Sequence, residues 1–285
     1  MQPSLENGFY LATNSRVGAY SVNTEPPSAE QLNNANIIRS FFIDKGWTIN
    51  AICGMLGCMQ GESTINPAFI QATNRYRLPN SADNLWDVPN SIMANFFMEH
   101  YADSRKAYGI GLVQWDGYTI YQNQDVQKMV AFAIANNIIW YDGWTQLYRL
   151  HFEQQSDETQ NRTDFFKPVR YSGVVYTFTN YPYSTETPEL LATAFTSGYE
   201  RNAGGVGFRA DNARWWYNYF TDPNAPAIID PTDFYPPLPA DPYEPPFDPD
   251  HPVTPSPDAP DFPSWFLMIP SILMKGGKQK IWRKM

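Results

Sequence analysis

With 285 residues, 43% hydrophobic, 16% aromatic and 17% charged, the chain can bury a real core over one or two domains, and its body is too apolar for disorder or coiled coil. The net charge of −9 is segmental: −5 over residues 1–221, −9 over 222–263 and +5 over the last eleven residues. An acidic body with no basic stripe excludes a nucleic-acid-binding domain, because nothing is there to neutralise phosphates. Residues 1–27 read as an N-terminal extension with neither the basic start nor the apolar run of a signal peptide. Ser28-Ala-Glu-Gln31 then has the form of a capping box, and Leu32, Ala35, Ile38, Phe41 and Phe42 follow at helical spacing, predicting a helix over 28–44. Lys45-Gly46-Trp47 stops it, and Thr48 caps a second helix that runs to about Gly61.

In that second helix Ile49, Ile52, Met55, Leu56 and Met59 share one face, while Gly54, Gly57 and Gly61 leave a bare stripe on the other. Glycine costs up to ~1 kcal/mol per helical position relative to alanine, so three of them predict a neighbour packed tightly on that side. Cys53 and Cys58 lie five residues apart on the same helix and point to different faces, which predicts reduced core thiols and no disulfide. Further helices are predicted over 84–101, 123–137, 143–155, 187–198 and 209–220. A short hairpin is predicted between 168 and 183 from Val169, Val174, Val175, Tyr176 and Phe178.

The body, residues 28–221, is therefore mainly α (α+β). Fifteen prolines and nine acids without a Lys or Arg make 222–263 an extended, semi-rigid spacer. The C-terminal peptide, 264–285, pairs the apolar Trp265–Met274 run, too short to span a bilayer, with Lys275, Lys278, Lys280, Arg283 and Lys284. That pairing suits either an anionic lipid interface or docking into another protein.

Glu62 is the carboxylate that stands out. It falls between Met55 and Cys58 on the helical wheel, at the edge of the apolar face and at the helix end before Asn66-Pro67. A carboxyl half-buried against apolar groups has its ionised form disfavoured and stays a proton donor near neutrality. Three segments then follow in order: Glu62-Ser-Thr-Ile-Asn-Pro67, Gly109-Ile-Gly-Leu-Val-Gln114-Trp115, and Gly198-Tyr-Glu-Arg-Asn-Ala-Gly-Gly205 before an aromatic helix. Glycines 109 and 111 let the backbone approach a bulky sugar, the Gln114 amide offers a donor and an acceptor, and Trp115, Tyr118 and Tyr121 offer flat faces for pyranose rings or for the core. Ser63 bonds to substrate or backbone near the acid, or caps a turn.

This series resembles the lysozyme-like superfamily, and most closely the lysozyme domain of bacteriophage tail-associated lysins, over roughly residues 28–220. Gly54-Met-Leu-Gly-Cys-Met-Gln-Gly61 and the Trp-Trp-Tyr-x-Tyr-Phe of the last helix carry the same likeness. The resemblance implies a lysozyme-like fold and cleavage of the β-1,4 link between N-acetylmuramic acid and N-acetylglucosamine. Glu62 would protonate the glycosidic oxygen, with Gln114, Tyr199 and the backbone near Gly111 orienting the sugar. The chain departs from the pattern of the related lytic transglycosylases in that Glu200-Arg201 interrupts Tyr-Asn-Ala-Gly after Tyr199. Hydrolysis usually uses a second carboxylate, for which Asp116 and Glu200 are the candidates, each also readable as a loop cap or an ion pair with a nearby arginine. A transglycosylase dispenses with it, because the muramoyl 6-hydroxyl attacks in place of water.

The implied setting is the virion, at a phage tail tip, acting on peptidoglycan strands beside other tail proteins. The rival reading is a structural, plug or glycan-binding tail protein that keeps the fold without turnover. No metal or cofactor is expected. A zinc hydrolase needs clustered ligands, whereas the only histidines are His100, His151 and His251. A Cys-His peptidase needs an exposed thiol, whereas Cys53 and Cys58 lie mid-helix. The Gly204-Gly205-Val-Gly207 cluster lacks the strand and the Lys-Ser or Lys-Thr of a phosphate loop.

Overall fold

A computed structural model describes residues 4–6, 8–11, 26–69, 109–115, 133, 139–155, 168–200 and 206–229. The chain divides between Pro237 and Leu238, and every described residue lies in the first part. The predicted helix over 84–101, most of that over 123–137, and the residues Asp116, Tyr118 and Tyr121 lie outside the described residues. So do the spacer from 230 and the 264–285 peptide.

Two short strands, β1 (Ser4–Glu6) and β2 (Phe9–Leu11), pair antiparallel ahead of the first helix, α1 (Ala29–Asp44). The segment expected to be an extension thus supplies core: Phe9 and Leu11 are buried, and Asn34 of α1 both accepts from the Tyr10 amide and donates to its carbonyl, each at 2.8 Å. Helix α1 begins with the predicted capping box, the Ser28 amide donating to Gln31 Oε1 at 2.7 Å and the Gln31 amide to Ser28 Oγ at 3.3 Å. The next helix, α2 (Ile49–Ser63), starts at Thr48, whose hydroxyl accepts from the Ala51 amide. Every residue from Ala51 to Gln60 is buried, and no charge interrupts α2 before Glu62. A helix apolar on all sides must be enclosed on all sides.

The second half of the chain adds α3 (Gly143–Gln155), the hairpin β3 (Val169–Tyr171) and β4 (Val174–Tyr176), a 3-10 turn at Tyr181–Tyr183, α4 (Pro188–Gly198) and α5 (Val206–Thr221). Of these α4, α5 and the 3-10 turn pack on α2, as does α1. The hairpin pairs Val169 with Tyr176 across a two-residue Ser172-Gly173 loop, both residues at positive φ, the geometry that matches strand twist. The packing of α4 and α5 on α2 answers the glycine stripe. A Cβ at Gly54 would sit 2.8 Å from Leu191 Cβ, one at Gly57 would run into the α5 backbone at Arg209 and Ala213, and one at Gly61 would lie 2.5 Å from the Phe208 ring. Both thiols of α2 are free and buried in this core, as the spacing predicts.

The body does not end at Thr221. Asn36 and Arg39 of α1 donate to the carbonyls of Ala227 (3.2 Å) and Pro226 (2.6 Å), and the Ile229 amide donates to Ser40 Oγ (2.9 Å). The first residues of the expected spacer are therefore bonded along α1, because prolines lack a donor but keep their carbonyls. Among the described residues no helix is long and apolar enough to cross a membrane.

Candidate functional site

The end of α2 is where the chemistry gathers. After Glu62 and Ser63 the helix closes on two β-branched residues in the left-handed region, Thr64 (φ 55°) and Ile65 (φ 57°). This conformation is rare outside glycine and costs about 1–3 kcal/mol per residue. It is held by the Thr64 amide on Gln60 O (3.2 Å), the Ile65 amide on Met59 O (3.4 Å), and Asn34 Nδ2 donating to Ile65 O (2.9 Å). Gln114, in the loop facing this end, is also left-handed at φ 54°. Two of the four non-glycine residues with positive φ among the described residues thus follow Glu62 within three positions.

Glu62 itself is 14% exposed, and its Oε1 meets Nη2 of Arg209, a residue of α5 with no exposure at all. The same Nη2 stands 3.4 Å from Oε2 of Glu200, just past the end of α4 and 4% exposed. One guanidinium is therefore shared by two carboxyl groups from different elements, the end of α2 and the segment after α4. The apolar wall expected beside Glu62 is replaced on this side by a cation. At 3.4 Å the Glu200 contact is longer than a full charged hydrogen bond. Burial therefore dominates for Glu200 and pushes its carboxyl up to about 8, the Cys58 thiol opposing by hydrogen bonding. Cys58 is driven well above its ordinary value by burial, with Glu200 adding and Arg209 opposing; its Sγ lies 3.3 Å from Ala192 O and 3.2 Å from Thr196 Oγ1. Burial likewise raises Cys53 and Tyr181, and the Tyr181 hydroxyl donates to Ala51 O.

The loop over 109–115 is tied to this corner by side chains the protein itself supplies. The Ser63 hydroxyl, fully buried, lies within bonding distance of both Met59 O (3.0 Å) and Leu112 O (2.8 Å), so of its alternatives the structure gives backbone contacts. Ile110 and Trp115 pair backbone to backbone at 3.0 Å in each direction. Gln146 of α3 does the rest: its Oε1 accepts from the Leu112 amide (2.8 Å) and its Nε2 donates to Pro67 O (2.8 Å) and Trp140 O (2.9 Å). The helix that carries it is capped by Asp142, whose Oδ2 accepts from the Thr145 amide and hydroxyl.

Several expected roles change accordingly. Gly111, at φ +73°, is glycine because a Cβ there would lie 2.6 Å from Gln146 Oε1; the close approach is to a protein amide. Gly109 is likewise covered by the Gln114 side chain, which donates to Gly111 O at 2.9 Å. Trp115 is buried and packs in the hydrophobic core, the second of its two expected placements. Glu200 is enclosed, 4% exposed, with its Oε2 3.4 Å from the Arg209 guanidinium. Tyr199, half-buried at the α4 cap, packs against Phe195 (4.8 Å between ring centroids) and Phe178 (5.6 Å) one residue before Glu200. Asp116 lies outside the described residues.

Arg209, Gln146 and Asn34 are site-building residues that sequence reasoning passed over. A signal existed for the first: Arg209, Ala213, Trp216 and Phe220 recur at helical spacing, so this arginine occupies the apolar stripe of α5 and needs a buried partner. Among the described residues no group of three or more His, Cys, Asp or Glu side chains is arranged to hold a metal ion.

Comparison with known proteins places this geometry. Residues 33–220 match the family model of the phage tail lysozymes. The chain is also similar to Morphogenesis protein 1 of Bacillus phage B103, 28% identical over 210 residues, which make up 73% of this chain and 45% of that protein. It therefore spans less than half the length of that relative.

Proposed function

The chain belongs to the phage tail lysozyme family, and on that premise we propose that it cuts the β-1,4 bond between N-acetylmuramic acid and N-acetylglucosamine in peptidoglycan, with Glu62 as proton donor. The observation that carries this reading is the placement of Glu62. It is the only charge on an otherwise uncharged buried helix, it is part-exposed, and strained backbone at Thr64 and Ile65 follows it. In the reaction the Glu62 carboxyl gives its proton to the glycosidic oxygen as the C1–O bond breaks, and positive charge develops at C1. Water, or the muramoyl 6-hydroxyl, then bonds to C1 and returns a proton to the Glu62 carboxylate. The enclosure of Glu200 favours a single-acid route among the described residues, and Tyr199, beside it, is the candidate for sugar contact. The 109–115 loop, fixed by Ser63 and Gln146, shapes the wall against which the glycan lies.

The biological setting proposed with this chemistry is the phage tail tip, where local cleavage opens the wall for DNA entry. The C-terminal peptide would meet other tail proteins or lipid. A second reading, a glycan-binding or plug protein without turnover, is favoured by one observation: the guanidinium on Glu62, which would make that carboxylate a structural ion-pair partner. Purified cell walls decide between them. The wild-type chain should clear a wall suspension and Glu62→Gln, with unchanged melting, should not. Clearing by Glu62→Gln within threefold of wild type contradicts the assignment, and no clearing by either protein favours the binding role.

A further inference from the structure

We propose that Arg209 is a positioning residue for this reaction, holding the Glu62 carboxyl at the end of α2 while Glu200 anchors the same guanidinium. The proposal rests on the reading of Glu62 as proton donor. Three elements converge to build the arrangement: the C-terminal end of α2 brings Glu62, the segment after α4 brings Glu200, and the first turn of α5 brings Arg209. Their convergence is written into the glycine stripe. Gly57 lets the Arg209 carbonyl and Ala213 pack directly on α2, and a Cβ at Gly61 would already lie 3.4 Å from Arg209 Cγ. Without those two glycines the guanidinium would not reach the helix end.

A fully buried guanidinium carries a desolvation cost that opposite charge offsets; here Glu62 meets its Nη2, and Glu200, 3.4 Å from the same nitrogen, adds its charge only as its raised carboxyl ionises towards pH 8. The rigid planar head of the arginine sets Nη2 within reach of both acids, a placement that a lysine ammonium at the end of a flexible stem does not reproduce. Among the described residues, groups facing the set from the packed elements include the Cys58 thiol on α2, the Thr196 hydroxyl on α4 and the Tyr181 phenol, and burial keeps the thiol and phenol neutral. Burial also keeps the proton on Glu200 up to about 8, so through the neutral range the charge of Arg209 is directed to Glu62. That charge has two consequences. It restricts the Glu62 side chain to the geometry of the pair, and it stabilises the carboxylate that Glu62 becomes once its proton has gone to the sugar oxygen.

The test is a comparison of wild type, Arg209→Lys, Arg209→Met and Glu62→Gln in the full chain. It follows kcat and KM on soluble peptidoglycan oligomers from about pH 4 to about pH 9, with melting curves alongside. Arg209→Met should lower kcat at least ~10-fold with KM within ~2-fold, and should move the alkaline limb of the kcat profile up by roughly one pH unit, since the cation that favours ionised Glu62 is gone. Arg209→Lys should leave that limb in place while kcat falls ~3-fold or more. An unmoved limb with kcat within ~3-fold in Arg209→Met overturns the proposal. If Arg209→Met does not melt cooperatively, Arg209→Lys decides, and kcat within ~2-fold of wild type overturns it. An active Glu62→Gln would bring down the reading of Glu62 and this proposal together. An inactive Glu62→Gln beside wild-type behaviour in the Arg209 variants would bring down this proposal alone.

Discussion

Gly57→Ala adds one methyl group where α2 meets α5. Its Cβ would stand 2.7 Å from the Ala213 amide nitrogen and 2.8 Å from Ala213 Cβ, and closer still to the Arg209 carbonyl oxygen. Non-bonded carbon contacts relax at about 3.5–4.0 Å, and the obstacles are backbone that no rotamer change can clear, so α5 must withdraw by about 1 Å. Alanine returns ~1 kcal/mol of helix propensity, while overpacking costs ~1–3 kcal/mol, towards the upper end here because two residues obstruct at once. The net expectation is a loss of ~1–2 kcal/mol, or a Tm lower by about 2–8 °C for a body of this size. Activity should fall further than stability, because α5 carries Arg209, and a displacement of ~1 Å at a positioned group costs up to ~100-fold. Melting by circular dichroism and initial rates of wall clearing measure the two effects. Gly207→Ala is the control: it lies on α5, the helix facing Gly57, with nothing within 4 Å of the added carbon, and should melt at or above wild type. A Gly57→Ala protein that melts with wild type and clears walls at the wild-type rate would refute the close-approach argument.

The raised value of Glu200 has a stability consequence with a definite sign. A carboxyl held up to about 8 by burial contributes stability that is complete below the ordinary carboxylate range and is lost as pH rises towards 8. Urea midpoints should therefore fall between about pH 5 and about pH 8 by up to ~1 kcal/mol per unit in wild type and less steeply in Glu200→Gln, whereas parallel curves would count against it. Gln146→Leu strands the Leu112 amide and two carbonyls in the interior and should cost at least ~2 kcal/mol in urea unfolding; a loss under ~0.5 kcal/mol would mean that the loop is held otherwise. A chain ending at Pro237 should melt like the full-length protein, and one ending at Thr221 should melt lower, having lost the bonds of Pro226, Ala227 and Ile229 to α1; equal melting of the two would place the boundary at Thr221 after all.

What was legible in the sequence was what is local. Ser28 with Gln31, and Thr48, announce the starts of α1 and α2, because a cap acts within one turn of its own residue. The bare stripe of Gly54, Gly57 and Gly61 announced a close neighbour for the same reason, though not which helices would supply it. The N-terminal hairpin escaped because three-residue strands are too short to display alternation, and only the burial of Phe9 and Leu11 reveals it. An indole at Trp115 suits a glycan and a protein interior alike, so the sequence leaves that residue open, and a missing Cβ at Gly111 is equally ambiguous. At Gly111 the structure puts Gln146, thirty-five residues on, where a Cβ would stand. The left-handed Thr64 and Ile65 could not be foreseen, since both residue types disfavour that conformation and hold it through contacts with Asn34, Gln60 and Met59.

Mass spectrometry of purified peptidoglycan after incubation with the full chain tests the proton-donor role of Glu62 most directly. Wild type should release fragments with new ends at N-acetylmuramic acid, reducing if water is the acceptor and anhydro if the 6-hydroxyl is, and Glu62→Gln of equal melting temperature should release none. New muramic acid ends from Glu62→Gln at the wild-type rate, or their absence with wild type, would contradict it.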